Sequence, residues 1–505
     1  MKNKVFFFIA LCISLTSFAQ QARMFPYYLP LTGTSKPPEI EEYFGSNAPT
    51  LAQRYTEDGL ALTFDEDEHA FTGFALSNLS FTSNYGIEVE FKYAMIDGKK
   101  YNGNYGDGLS MFLYDSDKPF QIGGQGASLG YVYRNSSTNA DIPGLNGAYL
   151  GVGLDLYGDF KTRSTGSGEK KEGIAGGTFS NRGYSHITIR GGSHGTNRYK
   201  GYPVLYSTAT RGSWEGNARL DYDTGEYELR DSNLNKSFDL RTGYDREGEI
   251  IYHTVKVMIL PNPSNTGSYI FMVVKHPDGV SDILYRYYYS HAFKTKDQDN
   301  VLYNFQTSMP ANFKVGFAAG TGGATQTHLV KDVVIRLPYS PITYPNDVIF
   351  CIGDGDNKDR NVSIDPYRYT YFYRGEMSFP IGGNSADNID FDSFRFEDEE
   401  GYPLNASTPY KHTVPGVGIW EYQRGSRKVK FTATTNNLSQ GEYSIYYSAK
   451  GHNKPNMGPF GDEVYRSQPT KLTVIMKECE RLVNPLIPVR IEVEEESGEF
   501  EHSWS

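Results

Sequence analysis

Asp107 stands between two glycines in Gly106-Asp107-Gly108, ahead of the apolar run Leu109-Ser110-Met111-Phe112-Leu113. Its carboxylate offers two acceptor oxygens to hydroxyl donors, although an aspartate flanked by glycines is also ordinary turn chemistry. The segment Gly123-Gly124-Gln125-Gly126-Ala127-Ser128-Leu129-Gly130 is a loop whose backbone can come close to a ligand, because glycine carries no Cβ to hold it away. A third segment, Leu150 to Phe160, ends with Asp155 and Asp159 on either side of Tyr157; taken alone, both aspartates read equally well as turn caps. Two further motifs carry less. Gly126-Ala127-Ser128-Leu129-Gly130 matches the serine-hydrolase elbow pattern, but that elbow needs a strand-to-helix turn and no helical period follows. Asp354 to Asp359 imitates the start of an EF-hand loop, with Lys358 at a ligand position and Asp359 where glycine is required; a solvated turn accounts for it better.

Taken in order, these segments resemble the legume-type lectin family and its bacterial surface-adhesin relatives. Gly106 to Leu113 is similar to the family's Asp-Gly-Leu-Ala-Phe-Phe strand, Gly123 to Gly130 to its Gly-Gly-x-Leu-Gly loop, and Leu150 to Phe160 to its Glu-Phe-Asp-Thr-Tyr-x-Asn metal strand. Ser185-His186-Ile187-Thr188-Ile189 resembles its Pro-His-Ile-Gly-Ile strand, and Lys314 to Gly322 its Val-Gly-Phe-Ser-Ala-Ser-Thr-Gly strand and last sugar loop. Five matches in the same order are more specific than any one of them. The resemblance implies a concanavalin-like jelly roll over residues 25–340. It also implies sugar binding by Asp107, by a backbone donor at Gly124 or Gly126, and by Asp159 and Gly322. Calcium would be held by Asp155, the Tyr157 carbonyl and Asp159, oxygen donors of the kind calcium requires, and would fix the loop. Tyr157 or Tyr131 would stack on the apolar face of the sugar.

The sequence also departs from the family. Gly153 stands where the family has a glutamate ligand to a transition metal, and a polar insertion, Lys161 to Tyr184, separates Asp159 from His186. A second metal site is therefore not expected, and His186 reads as a strand residue, as does His328. The tyrosine runs Tyr287 to Tyr289 and Tyr367 to Tyr373 read as sheet faces. Jelly-roll glycoside hydrolases are the main catalytic rival, but they place their carboxylates along one strand, and Glu88 and Glu90 lack the further carboxylates that pattern needs. A structural surface protein with a decayed sugar site is the other alternative.

The elements that must hold these residues are strands. Ile87-Glu88-Val89-Glu90-Phe91-Lys92-Tyr93 alternates with period two, and comparable runs recur at 110–114, 149–156, 186–190, 254–260, 269–275, 314–318 and 332–337. Asn262 to Asn265 and Pro277-Asp278-Gly279 punctuate them. No stretch carries a clean helical period, so the fold class is all-β. The proline-containing stretch from Pro338 to Pro345 marks a boundary, after which 346–480 reads as a smaller immunoglobulin-like sandwich with strands at 428–433, 443–448 and 471–476. The acidic tail, 481–505, reads as partly disordered.

Met1 to Ala19 has the charged start, short apolar run and small-residue end of a signal peptide, which implies export to the surface or medium. The apolar run is shorter than the ~20 residues a membrane span needs. The 505-residue chain carries a net charge of −11, and losing Lys2 and Lys4 with the leader takes this to −13, an average field that repels the phosphate backbone and argues against nucleic acid as a partner. With 40 tyrosines and 53 glycines the mature chain suits short strands and tight turns. Of the three cysteines in the full sequence, Cys12 leaves with the leader and Cys351 and Cys479 remain after export, either as a disulfide or as two free thiols. The expected partner is a glycan.

Overall fold

The computed structural model describes residues 27–478, apart from 46, 49–53, 85, 137–139, 166–167, 176–184, 212–216, 233, 263, 339, 342, 353–360, 369–388, 400, 435–439 and 452–465. The signal segment, the EF-hand-like run, most of Tyr367 to Tyr373, Cys479 and the acidic tail lie outside the described residues.

Period-two alternation places Ile87, Val89, Phe91 and Tyr93 in the core from one face of the Ile87–Ile96 strand. That strand sits inside an eight-stranded antiparallel sheet, between His253–Pro261 and Thr327–Arg336. On its opposite face Glu88 and Glu90 form ion pairs with Arg336, at 2.9 and 2.8 Å, and Lys256 lies 3.3 Å from Glu90. Opposite charges held this closely offset the cost of burying Glu88.

Facing this sheet is a ten-stranded one. Its centre runs His186–Gly191, Ala148–Asp155, Gly108–Asp115, Asn312–Gly320, Phe71–Leu76. The two sheets meet through aromatic rings. Phe317 of this second sheet stacks on Phe74 with centroids 5.2 Å apart and takes Phe91 of the first sheet edge-on at 4.9 Å. The result is an all-β jelly-roll sandwich. Helix is confined to short pieces such as the single turn Gly126–Ser128, and among the described residues no helix is long and apolar enough to cross a membrane.

The Gly108–Asp115 strand is buried on both faces. Leu109, Met111 and Leu113 enter the inter-sheet core, whereas Phe112 and Tyr114 join a second cluster with Ile122, Leu129, Tyr131, Val132 and Tyr133. The glycine-rich loop thus lies across the outer face of the second sheet. Ser110 Oγ ties it down by donating to the Leu129 carbonyl at 2.6 Å.

Beyond residue 345 two four-stranded sheets enclose a separate core around Trp420, Phe394, Phe431 and Tyr447. One sheet pairs Asn346–Ile352 in parallel with Thr470–Glu478.

Candidate functional site

Asp107 lies immediately before the Gly108–Asp115 strand, and the register sets its neighbours. Gly108 is opposite Gly320 on one side and Asp155 on the other, so the loops following both flanking segments converge on Asp107. The backbone of Asp107 is locked: its N–H donates to the Gly320 carbonyl at 2.8 Å, and its carbonyl accepts from Leu156 and Tyr157 N–H at 3.0 and 3.2 Å. The Gly106–Asp107 peptide is cis.

Three sequence-predicted sugar residues meet here. A Cβ built on Gly322 would lie 3.3 Å from one Asp107 carboxylate oxygen, and one on Gly126 would lie 3.7 Å from the other. Gly126 adopts φ +59°, a left-handed conformation that disfavours side chains. Its amide has no partner among the described residues, and neither has the Asp107 carboxylate. Gly124 is different, because its amide donates to the Val132 carbonyl at 2.8 Å and is not free for a ligand.

Of the two candidate aromatic platforms, Tyr131 needs correction. Tyr131 is fully buried, its hydroxyl bonded to the Gly191 carbonyl at 3.0 Å, because the loop uses it to pack against Phe112 and Tyr202. Tyr157 packs over Gly106. The exposed aromatic beside the site is one the sequence reading missed: Tyr101 is 52% exposed, and a Cβ on Gly323 would lie 3.1 Å from its ring. Its signal was the turn Lys100-Tyr101-Asn102-Gly103-Asn104 just ahead of Asp107, closed by paired bonds between Tyr101 and Asn104.

Beneath the site, Asp155 is buried and its two oxygens accept from Gly158 and Phe160 N–H, both at 2.8 Å. Asp159 is buried as well. The Phe160 ring covers Gly153, where a Cβ would fall 2.2 Å from a ring carbon, and His186 Nε2 accepts from the Lys161 ammonium at 2.8 Å. The described part of the polar insertion, up to residue 175, is folded against the sandwich. Arg163 and Ile174 exchange backbone bonds with Lys171, Lys161 and each other, and Arg190 reaches the Phe160 and Glu172 carbonyls at 3.0 and 2.8 Å. Lys171 is buried within the insertion.

Burial, then the nearby Asp159, Asp155 and Glu169, push the Asp107 carboxyl up to about 7, with Lys171 opposing. Burial raises Asp155 to about 6, against the pull of the two amides. Burial lowers Lys171 to about 8, and the neighbouring carboxylates limit the fall.

A calcium shell takes six to eight oxygens. Asp155, Asp159 and the Tyr157 carbonyl were the expected donors, but among the described residues no three His, Cys, Asp or Glu side chains group to hold a metal ion. Two lysines stand within the same cluster. As folded, this donor set does not fit a calcium shell.

The hydrolase readings lose their residues: Ser128 is buried in the loop, and Glu88 and Glu90 are neutralised by Arg336 and Lys256. His328 is a buried strand residue, with Nδ1 at 2.7 Å from Thr63 Oγ1.

Fold and site together define an all-β sandwich with a polar loop site at one end of its second sheet. No family model and no curated protein sequence matches the chain. Among solved structures it is similar to the VIP36 exoplasmic/lumenal domain in a Ca2+/Man2-bound form, at 12% identity over 62% of this chain and 87% of that one, TM-score 0.33. It is also similar to a Lotus tetragonolobus seed lectin, at 12% identity over 61% and 96%, TM-score 0.33, and to peanut lectin, at 13% over 61% and 95%, TM-score 0.30.

Proposed function

We propose that the chain is an exported carbohydrate-binding protein, a lectin or adhesin, that takes glycan hydroxyls on Asp107. One observation carries the reading: a half-buried carboxylate with no hydrogen-bond partner among the described residues, facing an amide at Gly126 that is likewise unpartnered there and a bare α-carbon at Gly322. A carboxylate in that setting accepts from two vicinal hydroxyls. The Gly126 amide donates to a third oxygen, and the missing side chains leave room for the ring. Tyr101 supplies an apolar platform at the rim.

Asp155, Tyr157 and Asp159 form the loop that supports Asp107. Calcium, which the family resemblance implies there, competes with the neighbouring lysines as the source of positive charge. Met1 to Ala19 directs export, and the unit from 346 to 480 acts as a spacer or partner surface. Cys351 is disulfide-bonded. Cys479 is the proposed partner, because the parallel register sets Cys351 against Lys477, two residues earlier.

The test is glycan binding by the mature chain beside Asp107→Ala, with calcium and with chelator. Binding that disappears in the variant supports the reading. Equal binding by both proteins removes Asp107 from the site, and no binding by either favours a structural surface protein.

A further inference from the structure

Lys171 is 1% exposed and its ammonium has no hydrogen-bond partner among the described residues. A buried ammonium without a partner is costly, so its position needs an electrostatic reason. Asp155, Asp159 and Glu169 all act on it, and it in turn acts on Asp107. Glu169 is also paired to Arg134 at 3.2 Å. The second lysine, Lys161, is 4% exposed and donates to His186. Both lysines belong to the folded-back insertion, and Arg190 pins that insertion through the Phe160 and Glu172 carbonyls. The ring of Phe160 fills the space above Gly153.

We propose that the ammonium groups of Lys171 and Lys161 supply, from within the chain, the positive charge that would otherwise come from a bound divalent cation. The loop bearing Asp155 and Asp159 then keeps its shape, and the Asp107 pocket stays formed, without added metal. The described part of the insertion delivers this charge: its main chain folds back on itself, the Lys171 amide donating to the Arg163 carbonyl and the Ile174 amide to the Lys161 carbonyl, and carries both buried lysines with it. The inference concerns the loop under the proposed glycan site but is read without sugar, so either reading can fail while the other stands.

The experiment is thermal unfolding of the mature chain in chelator and in millimolar calcium, with elemental analysis of the purified protein. The midpoint is expected to differ by less than about 1 °C between the two conditions, whereas a site saturated a hundredfold would raise it by roughly 5 °C or more. A rise of that size, or about one calcium per chain surviving purification, overturns the proposal. Lys171→Met removes the charge at similar length, and is expected to lower the midpoint, at the limit to the point of not folding, with Lys171→Arg recovering part of the loss. A Lys171→Met protein as stable as the parent in chelator also overturns it. The calcium arm does not depend on any variant folding, because it is read on the unmodified chain.

Discussion

Asp107→Asn should make the protein more stable and worse at binding. The carboxyl is raised from 3.8 to about 7, first by burial and then by Asp159, Asp155 and Glu169. Each unit corresponds to about 1.4 kcal/mol, so ionising Asp107 in the folded chain costs at most ~4 kcal/mol at high pH. Partial exposure screens that cost, leaving roughly 1–2 kcal/mol. The sign follows from linkage. A raised acid binds its proton more tightly when folded, so its contribution to stability is fully present below about 3.8 and is lost as pH rises through about 7. The neutral amide avoids that loss. The variant should therefore match the parent near pH 4 and melt about 3–6 °C higher at pH 8. Binding should weaken by roughly 10- to 100-fold, since one charge-assisted acceptor becomes a donor. Melting curves at pH 4 and pH 8, beside glycan titrations, read both effects. A variant that melts lower than the parent at pH 8 would refute the electrostatic reasoning.

Other outcomes follow from the same geometry. Gly126→Ala places a methyl 3.7 Å from an Asp107 oxygen at φ +59°; it should cost about 1–2 kcal/mol of stability and roughly tenfold or more in affinity, checked by melting and titration. Tyr101→Ala should leave the midpoint unchanged, the side chain being exposed, and weaken glycan binding by roughly three- to tenfold. Cys351→Ser should lower the stability of the second unit by roughly 2–5 kcal/mol, and non-reducing peptide mapping should find the parent's Cys351 joined to Cys479.

The strands were legible because one face of each is apolar: Ile87, Val89, Phe91 and Tyr93 alternate in the sequence and enter the core together. Asp107, Gly126 and Gly322 were picked out by the family resemblance, since their spacing alone reads equally well as turn chemistry, and the structure brings the three together. The rest of the site was hidden. Whether Gly124 or Gly126 offers its amide depends on one backbone bond to Val132, which no residue type encodes. Tyr131 was read as a platform because tyrosine suits both a sugar and a core, and only the loop's path over Phe112 decides between them. Lys171 was least legible, because Lys161 to Tyr184 has neither strand nor helix period, and its described part is held by tertiary bonds, from Arg190 to the Glu172 carbonyl and from the Gly201 amide to the Glu172 side chain.

The most direct measurement is a glycan array probed with the mature chain in chelator, beside Asp107→Asn on the same slides. The account predicts a defined set of glycans bound by the parent and lost by the variant. Equal signals from the two proteins, or none from the parent on any glycan, would contradict it.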